Sequence, residues 1–483
     1  MQIRRITWLL LGLPALCPGH LSAQEQPPLT VPEGFVVEKV AGPPLIDWPM
    51  FASFDDRGRL YVAESAGAPE KNFHVDVQSL LEHPPHRIVL LEDTRGEGRF
   101  DKKQIFADRM TYPSGLVWHE GAIYCASPPS LWKLEDTKGA GVADRRTELL
   151  TGWRLTGISD ELHGPSIGPD GRLYWGCGRF PYGVRRPGGP VLERGRAPLI
   201  FRCRTDGSDT EAVSGAQGNP VKLAFTPEGE PFACGTWGRD PWSSGARGGR
   251  QDLLIHCVEG GNYPMLDGDF YGEERPRTGN DLLPPISYLG VAAASGVTSY
   301  RSGAWGEEYR GNLFSALFNM HKVVRHILAR DGSTFRSTDQ DFLVSSHPDF
   351  HPTDVLEDAD GSLLVVDTGG WYSHCPTSSL GKSRTPGGIY RIRRQGAKGA
   401  QDPWGLAVDW STVGTKALAL LLDDPRFAVR DRAISEFVHR GPAARPGLEE
   451  ALSSGASVQI RQNAVWALTR MEGPGARAAV RRA

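Results

Sequence analysis

Long apolar runs are almost absent from this 483-residue sequence. The one candidate, Ile6 to Leu16, is too short to span a bilayer. An excess of either charge is missing too. The 54 Lys and Arg against 57 Asp and Glu leave a net charge of -3, which gives no whole-chain case for nucleic acid or an anionic surface. Cysteine is scarce, at seven residues, and none sits in a C-x-x-C pair, which excludes zinc-ribbon and haem-attachment patterns. There is no P-loop and no H-E-x-x-H, so two common enzyme signatures are excluded as well.

What the N-terminus does carry reads as an export signal over residues 1–23. Arg4 and Arg5 give the positive start, Ile6 to Leu16 the apolar stretch, and His20-Leu21-Ser22-Ala23 a small residue for cleavage. Leu16 before Cys17 fits lipoprotein processing poorly, and the surroundings of Arg4-Arg5 match a twin-arginine signal weakly. The expectation is an exported, periplasmic protein with no transmembrane helix. Six cysteines then remain, an even number that permits disulfides in an oxidising compartment. Cys125, Cys177 and Cys234 hold similar places in three repeats, so packing inside strands ranks ahead of pairing.

Glycine (58) and proline (37) are abundant, as in a turn-dense β protein. One phrase recurs six times: a Pro- or Gly-containing corner, an apolar stretch, a tight turn and a second apolar strand. The copies begin at Asp47-Trp48-Pro49, Tyr112-Pro113, His163-Gly164-Pro165, Gly218-Asn219-Pro220, Ser295-Gly296 and His351-Pro352, the fifth being the weakest. Asp-Gly and Glu-Gly turns such as Asp170-Gly171 and Glu228-Gly229 give each copy the character of a β-hairpin. Recurrence of the whole phrase predicts a mainly β fold, a six-bladed β-propeller over residues 31–394. A β-sandwich is the alternative. Residues 66–87 and 238–290 are long insertions of the kind that serve as lids or binding loops. After a linker at 395–410, Val429-Arg430-Asp431-Arg432-Ala433 and Val458-Gln459-Ile460-Arg461-Gln462 repeat a helical pattern. This predicts HEAT-like helices over 411–483, probed by two alternatives: the tail packs on the propeller, or it continues in a longer protein.

In a propeller the innermost strands start at one mouth of the central channel, so the first residues of each copy converge there. They are Asp47, Trp48, Tyr112, His163, Asn219, Ser295 and His351. Two imidazoles, a carboxylate, an amide and aromatics suit a polar small-molecule site, where His163 would take a hydroxyl proton and Asp47 would orient it. The structural alternative is that they cap strand ends. A second set follows the outgoing strands: Glu64, Arg179, Trp237, Arg239, Asp240, Asn319, His321 and Asp367. Strand tilt decides whether it shares the mouth. His321 and His326 are five residues apart in a strand-like run, which makes them poor joint metal ligands. Two acidic loops, Asp93 to Asp101 and Asp136 to Asp144, resemble calcium loops. Arg95 and Lys138 occupy the third positions, however, and the expectation is two turns without metal.

Several longer runs resemble a known family. They are Asn312 to His326, His351-Pro352-Thr353-Asp354, Val366-Asp367-Thr368-Gly369-Gly370-Trp371, His374-Cys375-Pro376-Thr377 and Gly387-Gly388-Ile389-Tyr390. Together they resemble the membrane-bound dehydrogenase family of planctomycete and verrucomicrobial bacteria. Members of that family often run on through HEAT repeats to a haem-attaching domain; without C-x-x-C-H, covalent haem is not carried over here. A more distant likeness is to the soluble quinoprotein glucose and sorbosone dehydrogenases, which are six-bladed. The resemblance implies His163 as general base beside pyrroloquinoline quinone, and Asn219-Pro220 as part of the quinone contact. Gly218 stands where that contact has an arginine, and His351 and Thr353 stand where blade six has an arginine pair.

Three functions follow. The first is an oxidoreductase acting on a sugar or polyol, with His163 and Asp47 as catalytic groups. Trp48, Tyr112, Asn219, Asn319, His321, His351 and Asp367 would then bind substrate or cofactor. The second is a non-catalytic carbohydrate- or protein-binding propeller, with the helical segment docking a protein partner. The third is a lactonase-like hydrolase with a channel calcium held by Asp47, Glu64, Asn219, Asn319 and Asp367.

Overall fold

A computed structural model describes residues 27–66, 77–156, 161–215, 218–239, 249–264, 282–370, 385–453 and 457–483. The predicted signal peptide, Cys375, Asp240 and residues 67–76, 240–248 and 265–281 of the two long insertions lie outside these residues. Six antiparallel sheets follow one another along the chain. Their innermost strands are Pro49–Phe54, Leu116–His119, Leu162–Ile167, Asn219–Phe225, Ala294–Ser299 and Pro352–Glu357. Each packs on the innermost strands of its two neighbours, which closes a six-bladed propeller. The six phrases of the sequence are therefore the two inner strands of the six blades. The fifth phrase is weak because its hairpin is long. Tyr300, Trp305 and Phe314 fill that corner as a buried aromatic cluster in place of a tight turn.

The second strand of each blade lies between two sheets, so it is buried on both faces. Leu60–Glu64, Leu173–Cys177, Leu313–Leu317 and Leu363–Asp367 have no exposed residue, and so read as continuous apolar runs. The turns joining first and second strands need positive φ, which Gly58 (81°) and Gly361 (85°) supply. The ring is closed by the N-terminus. Phe35–Ala41 pairs with Gly388–Arg394 as the outermost strand of blade six, and Leu29–Thr30 edges blade five. One connection was not foreseen. The excursion between the second and third strands of blade three, Tyr182–Arg185 with Val191–Gly195, pairs back onto blade two and widens it to six strands.

Cys125, Cys177, Cys203, Cys234 and Cys257 are buried, as the packing reading anticipated for the second-strand positions. The two acidic loops form the same turn twice. Asp93 accepts the N–H groups of Glu97 and Gly98, and Asp136 those of Ala140 and Gly141; Asp101 and Asp144 hold Thr94 and Thr137.

The C-terminal segment forms the helices Thr415–Leu420, Phe427–Arg440, Arg445–Ser453, Val458–Arg470 and Pro474–Arg482 around their own apolar core. Both repeats of the Val-Arg-Ala pattern are helical. The segment packs on the propeller, which decides the first alternative left open above. It covers the face bearing the first hairpin turns. Asp431 takes both guanidinium nitrogens of Arg301 at 2.8 and 2.6 Å, and Arg470 donates to the carbonyl of Pro169 at 2.8 Å. The Trp404 ring packs at a tilt on Phe54, with centroids 5.3 Å apart, and a Cβ on Gly229 would lie 2.4 Å from the Trp466 ring. The Asp-Gly and Glu-Gly turns that write the repeat into the sequence are thus the floor on which the helices stand. Among the described residues no helix is long and apolar enough to cross a membrane.

Candidate functional site

The channel is closed at its waist. Lys222 of blade four reaches across to Asp354 of blade six at 2.6 Å, and Asp354 also accepts the N–H of Ala52 in blade one at 3.1 Å. Asp354 is fully buried; desolvation pushes its carboxyl up, against the pull of the Lys222 ammonium. Blade five passes as Gly296, where a Cβ would sit 2.4 Å from Asp354 Oδ1. Phe51, Gly115, Gly164, Pro165 and Val221 complete a void that leaves no space for a water molecule. The two ends of the axis are therefore separate surfaces. The helices cover one. The other, the top mouth, is where the inner strands begin.

The described members of both sets of residues picked from the sequence lie at this mouth. Register pairs the start of each inner strand with the end of its second strand: Pro49 with Glu64, Leu162 with Cys177, Asn219 with Thr236 and Pro352 with Asp367. The structure then divides the candidates between two sides. On one side are Tyr112, His163 and Asn219, all buried. Tyr112 packs on His86, whose imidazole is pushed down to about 4 by burial and accepts the Ala66 N–H at 3.0 Å. His163 opens the inner strand of blade three, which is flanked by those of blades two and four; the Ser114 hydroxyl donates to the carbonyl just before it, that of Leu162. On the other side, around blade six, are Asp47, Trp48, His321, His351 and Asp367. The Trp48 indole donates to Thr385 O at 3.3 Å, and the N–H of Gly387 donates to Asp47 O at 2.7 Å.

The blade-six side is the more highly built. His351 is fully buried, stacks on Phe318 at 4.4 Å, meets the His321 ring at 5.1 Å, and places Nδ1 2.5 Å from Gly369 O. His321, in left-handed backbone at φ 51°, sets Nδ1 2.7 Å from Phe350 O. Asp367 Oδ1 accepts the N–H groups of His351 and Gly369, each at 2.8 Å. Burial still pushes its carboxyl up to about 7, and the nearby Asp349 adds to that rise. The Lys39 ammonium is held below its usual range by burial, against the pull of Asp367. Asn319 is more peripheral, with its amide 3.4 Å from Val291 O.

Asp47 belongs to blade one and His163 to blade three, as their copies of the phrase place them. Of the calcium set, Asp47 and Glu64 are neighbours, the Asp47 N–H donating to Glu64 at 3.1 Å. Glu64 is neutralised by Arg87 at 2.6 Å and Lys103 at 2.9 Å, and Asp367 is held by backbone donors. Among the described residues no three His, Cys, Asp or Glu side chains gather to hold a metal ion. The side chains of Trp237 and Arg239, like Asp240, lie outside the description. Arg179 is half-buried on blade three.

A Ser–His–Asp chain escaped the sequence reading. Ser315 Oγ lies 2.7 Å from His326 Nε2, and His326 Nδ1 lies 2.7 Å from Asp339 Oδ1. Ser315 and His326 are both fully buried between the strands of blade five, where the relay is a strut that ties three strands together. Burial pulls the Asp339 carboxyl up, but hydrogen bonds and charge from His326, with donors Ser287 and Ser337, outweigh it and hold it at about 2. Spacing gave no warning, because the three residues come from three successive strands.

The match to known proteins covers the propeller. A family model described as "Domain of unknown function (DUF7133)" fits residues 22–243 and 277–394. Among solved structures, a Trichoderma reesei carbohydrate-active enzyme of family AA12 aligns at 12% identity and a TM-score of 0.51, covering 78% of this chain and 100% of that one. The PQQ-bound aldose sugar dehydrogenase of Streptomyces coelicolor aligns at 15% identity and 0.48, covering 75% and 100%. The pyranose dehydrogenase PQQ domain of Coprinopsis cinerea aligns at 15% and 0.49, covering 77% and 98%. At such identity the likeness to the Trichoderma reesei enzyme bears on the fold alone. No curated protein matches the sequence.

Proposed function

The chain belongs to the DUF7133 family, and from that footing we propose that its propeller is an oxidoreductase of the sugar-dehydrogenase kind, acting on a sugar or polyol at the top mouth. The observation that carries this reading is His163. It is a buried imidazole at the start of the blade-three inner strand, beside the inner strand of blade four that begins with Asn219. As a neutral base it would take a hydroxyl proton while Asn219 and Tyr112 orient the substrate. The reading includes export to the periplasm through residues 1–23, and a HEAT-like character for the helices.

The residues do not fit pyrroloquinoline quinone as a tricarboxylate. Gly218 offers no charge. His351 and Thr353, in the place of an arginine pair, are fully buried and turned to the carbonyls of Gly369 and Val366. Lys222 is spent on Asp354. No step is routed through that quinone, and the electron acceptor is what the experiment varies. The same inward turn of His351 and Thr353 favours a second reading, a carbohydrate-binding propeller without catalysis.

The test is oxidation of D-glucose and D-sorbitol by the purified protein with quinone plus calcium, or with artificial two-electron acceptors. Sugar-dependent reduction of any acceptor, lowered about 10²- to 10⁴-fold by His163→Ala, supports the oxidoreductase. Sugar-induced rises in melting temperature with no acceptor reduced would transfer the case to the binding reading.

A further inference from the structure

Three buried side-chain atoms at the top of adjacent blades lack a hydrogen-bond partner among the described residues: Thr236 Oγ1, Ser295 Oγ and Asp349 Oδ1. Their residues are 3%, 1% and 5% exposed. Thr236 lies near the top of the second strand of blade four, opposite Asn219. That strand packs on the inner strand of blade five, of which Ser295 is the second residue. Asp349 immediately precedes the start of blade six, and its other oxygen accepts the Thr385 hydroxyl at 3.1 Å. Most other orphaned atoms are indole and guanidinium nitrogens dispersed through blades and helices. Two hydroxyls and a carboxylate oxygen in one arc form a different pattern.

A buried polar atom without a partner lowers stability, so a fold that keeps several together at one mouth holds them for something that binds there. We propose that Thr236, Ser295 and Asp349 form a hydroxyl-reading arc on blades four to six, which orients a polyhydroxylated ligand across the mouth from blade three. A sugar or polyol matches the arc chemically. Each of its hydroxyls both donates and accepts, so one donates to the Asp349 carboxylate while its neighbours exchange hydrogen bonds with Thr236 and Ser295. The inference rests on the reading of this mouth as a sugar or polyol site and supplies the specificity that His163 alone lacks. Sites of this kind reject analogues that lack the recognised hydroxyl.

The experiment measures melting temperature and calorimetric affinity for D-glucose and D-sorbitol in the full chain and in Thr236→Val, Ser295→Ala and Asp349→Asn. Thr236→Val and Ser295→Ala remove an unpartnered hydroxyl. They should raise the ligand-free melting temperature and weaken polyol binding about tenfold or more. That opposition is the signature of a binding role, since a hydroxyl satisfied by structural water would lower the melting temperature when removed and leave affinity alone. Wild-type affinity retained in all three variants overturns the arc and leaves the oxidoreductase reading standing. If neither polyol binds the wild-type protein, the sugar-site reading itself fails and the arc fails with it.

Discussion

Blade six has an acid pushed up by desolvation at each end, and the two differ in what surrounds them. Glu357, at the bottom of the inner strand, accepts the N–H groups of Arg301 and Ser302 at 2.7 and 2.8 Å, and burial pushes it up to about 8. Asp367, at the top of the second strand, accepts two N–H groups at 2.8 Å and is pushed up to about 7. Beneath Glu357, Arg301 is tied to a helix through Asp431, so that end is closed by the chain itself. Beside Asp367, His351 meets the His321 ring, and a carboxylate oxygen of Asp349 is left without a partner among the described residues. The same blade, built from the same hairpin, thus ends in a finished joint on one face and an unfinished polar surface on the other. The unfinished face is the one on which the proposed site lies.

Breaking the division between the faces should have the largest effect. Lys222→Met leaves Asp354 charged and buried at the waist, and should cost about 3–5 kcal/mol in urea unfolding. A loss below 1 kcal/mol would mean that the waist is wetter than its closed void indicates. Titration tests the two ends separately. Both acids have raised values, so the folded state binds more protons than the unfolded state once pH exceeds their ordinary values near 4. Stability should fall by about 1.4 kcal/mol per pH unit per group as pH climbs, to about 7 for Asp367 and about 8 for Glu357. Asp367→Asn and Glu357→Gln should each flatten their own part of the slope. Only Asp367→Asn should change polyol affinity.

A smaller effect is expected from Arg301→Leu. The pair with Asp431 is partly exposed, at 32% and 48%, so its loss should cost about 1–2 kcal/mol and loosen the helices without altering ligand binding. The smallest should come from Ser315→Ala in the blade-five strut, about 1 kcal/mol with full activity. Lost activity there would mark the relay as something other than a strut.

The hairpins were legible because their turns carry local chemistry: Gly58 and Gly361 need positive φ, and the residues around them alternate accordingly. Membership of the mouth was legible for the same reason, since it follows from strand order alone. What the side chains do there was not. Asp47 and His163 stand in the first and third copies of the phrase, but only the packed sheets show which strands flank each of them. Glu64 reads as a free carboxylate until Arg87, more than twenty positions on, is placed beside it. The return of Tyr182–Arg185 to the preceding blade left no mark at all, because a short strand with polar edges pairs as well with one sheet as with another. Long-range pairing was the common element in every miss.

The N-terminal strand that closes the ring carries a consequence for the birth of the molecule. Phe35 lies opposite Arg394, so a strand made at the start of synthesis waits for its partner until the whole propeller has been extruded. At ordinary elongation rates that interval is roughly 20 to 70 s. During it Phe35–Ala41 is an unpaired edge, and blades one to five form a ring with a gap. Blade six, which carries both acids and much of the candidate site, is then the last to assemble and the youngest part of each folded copy.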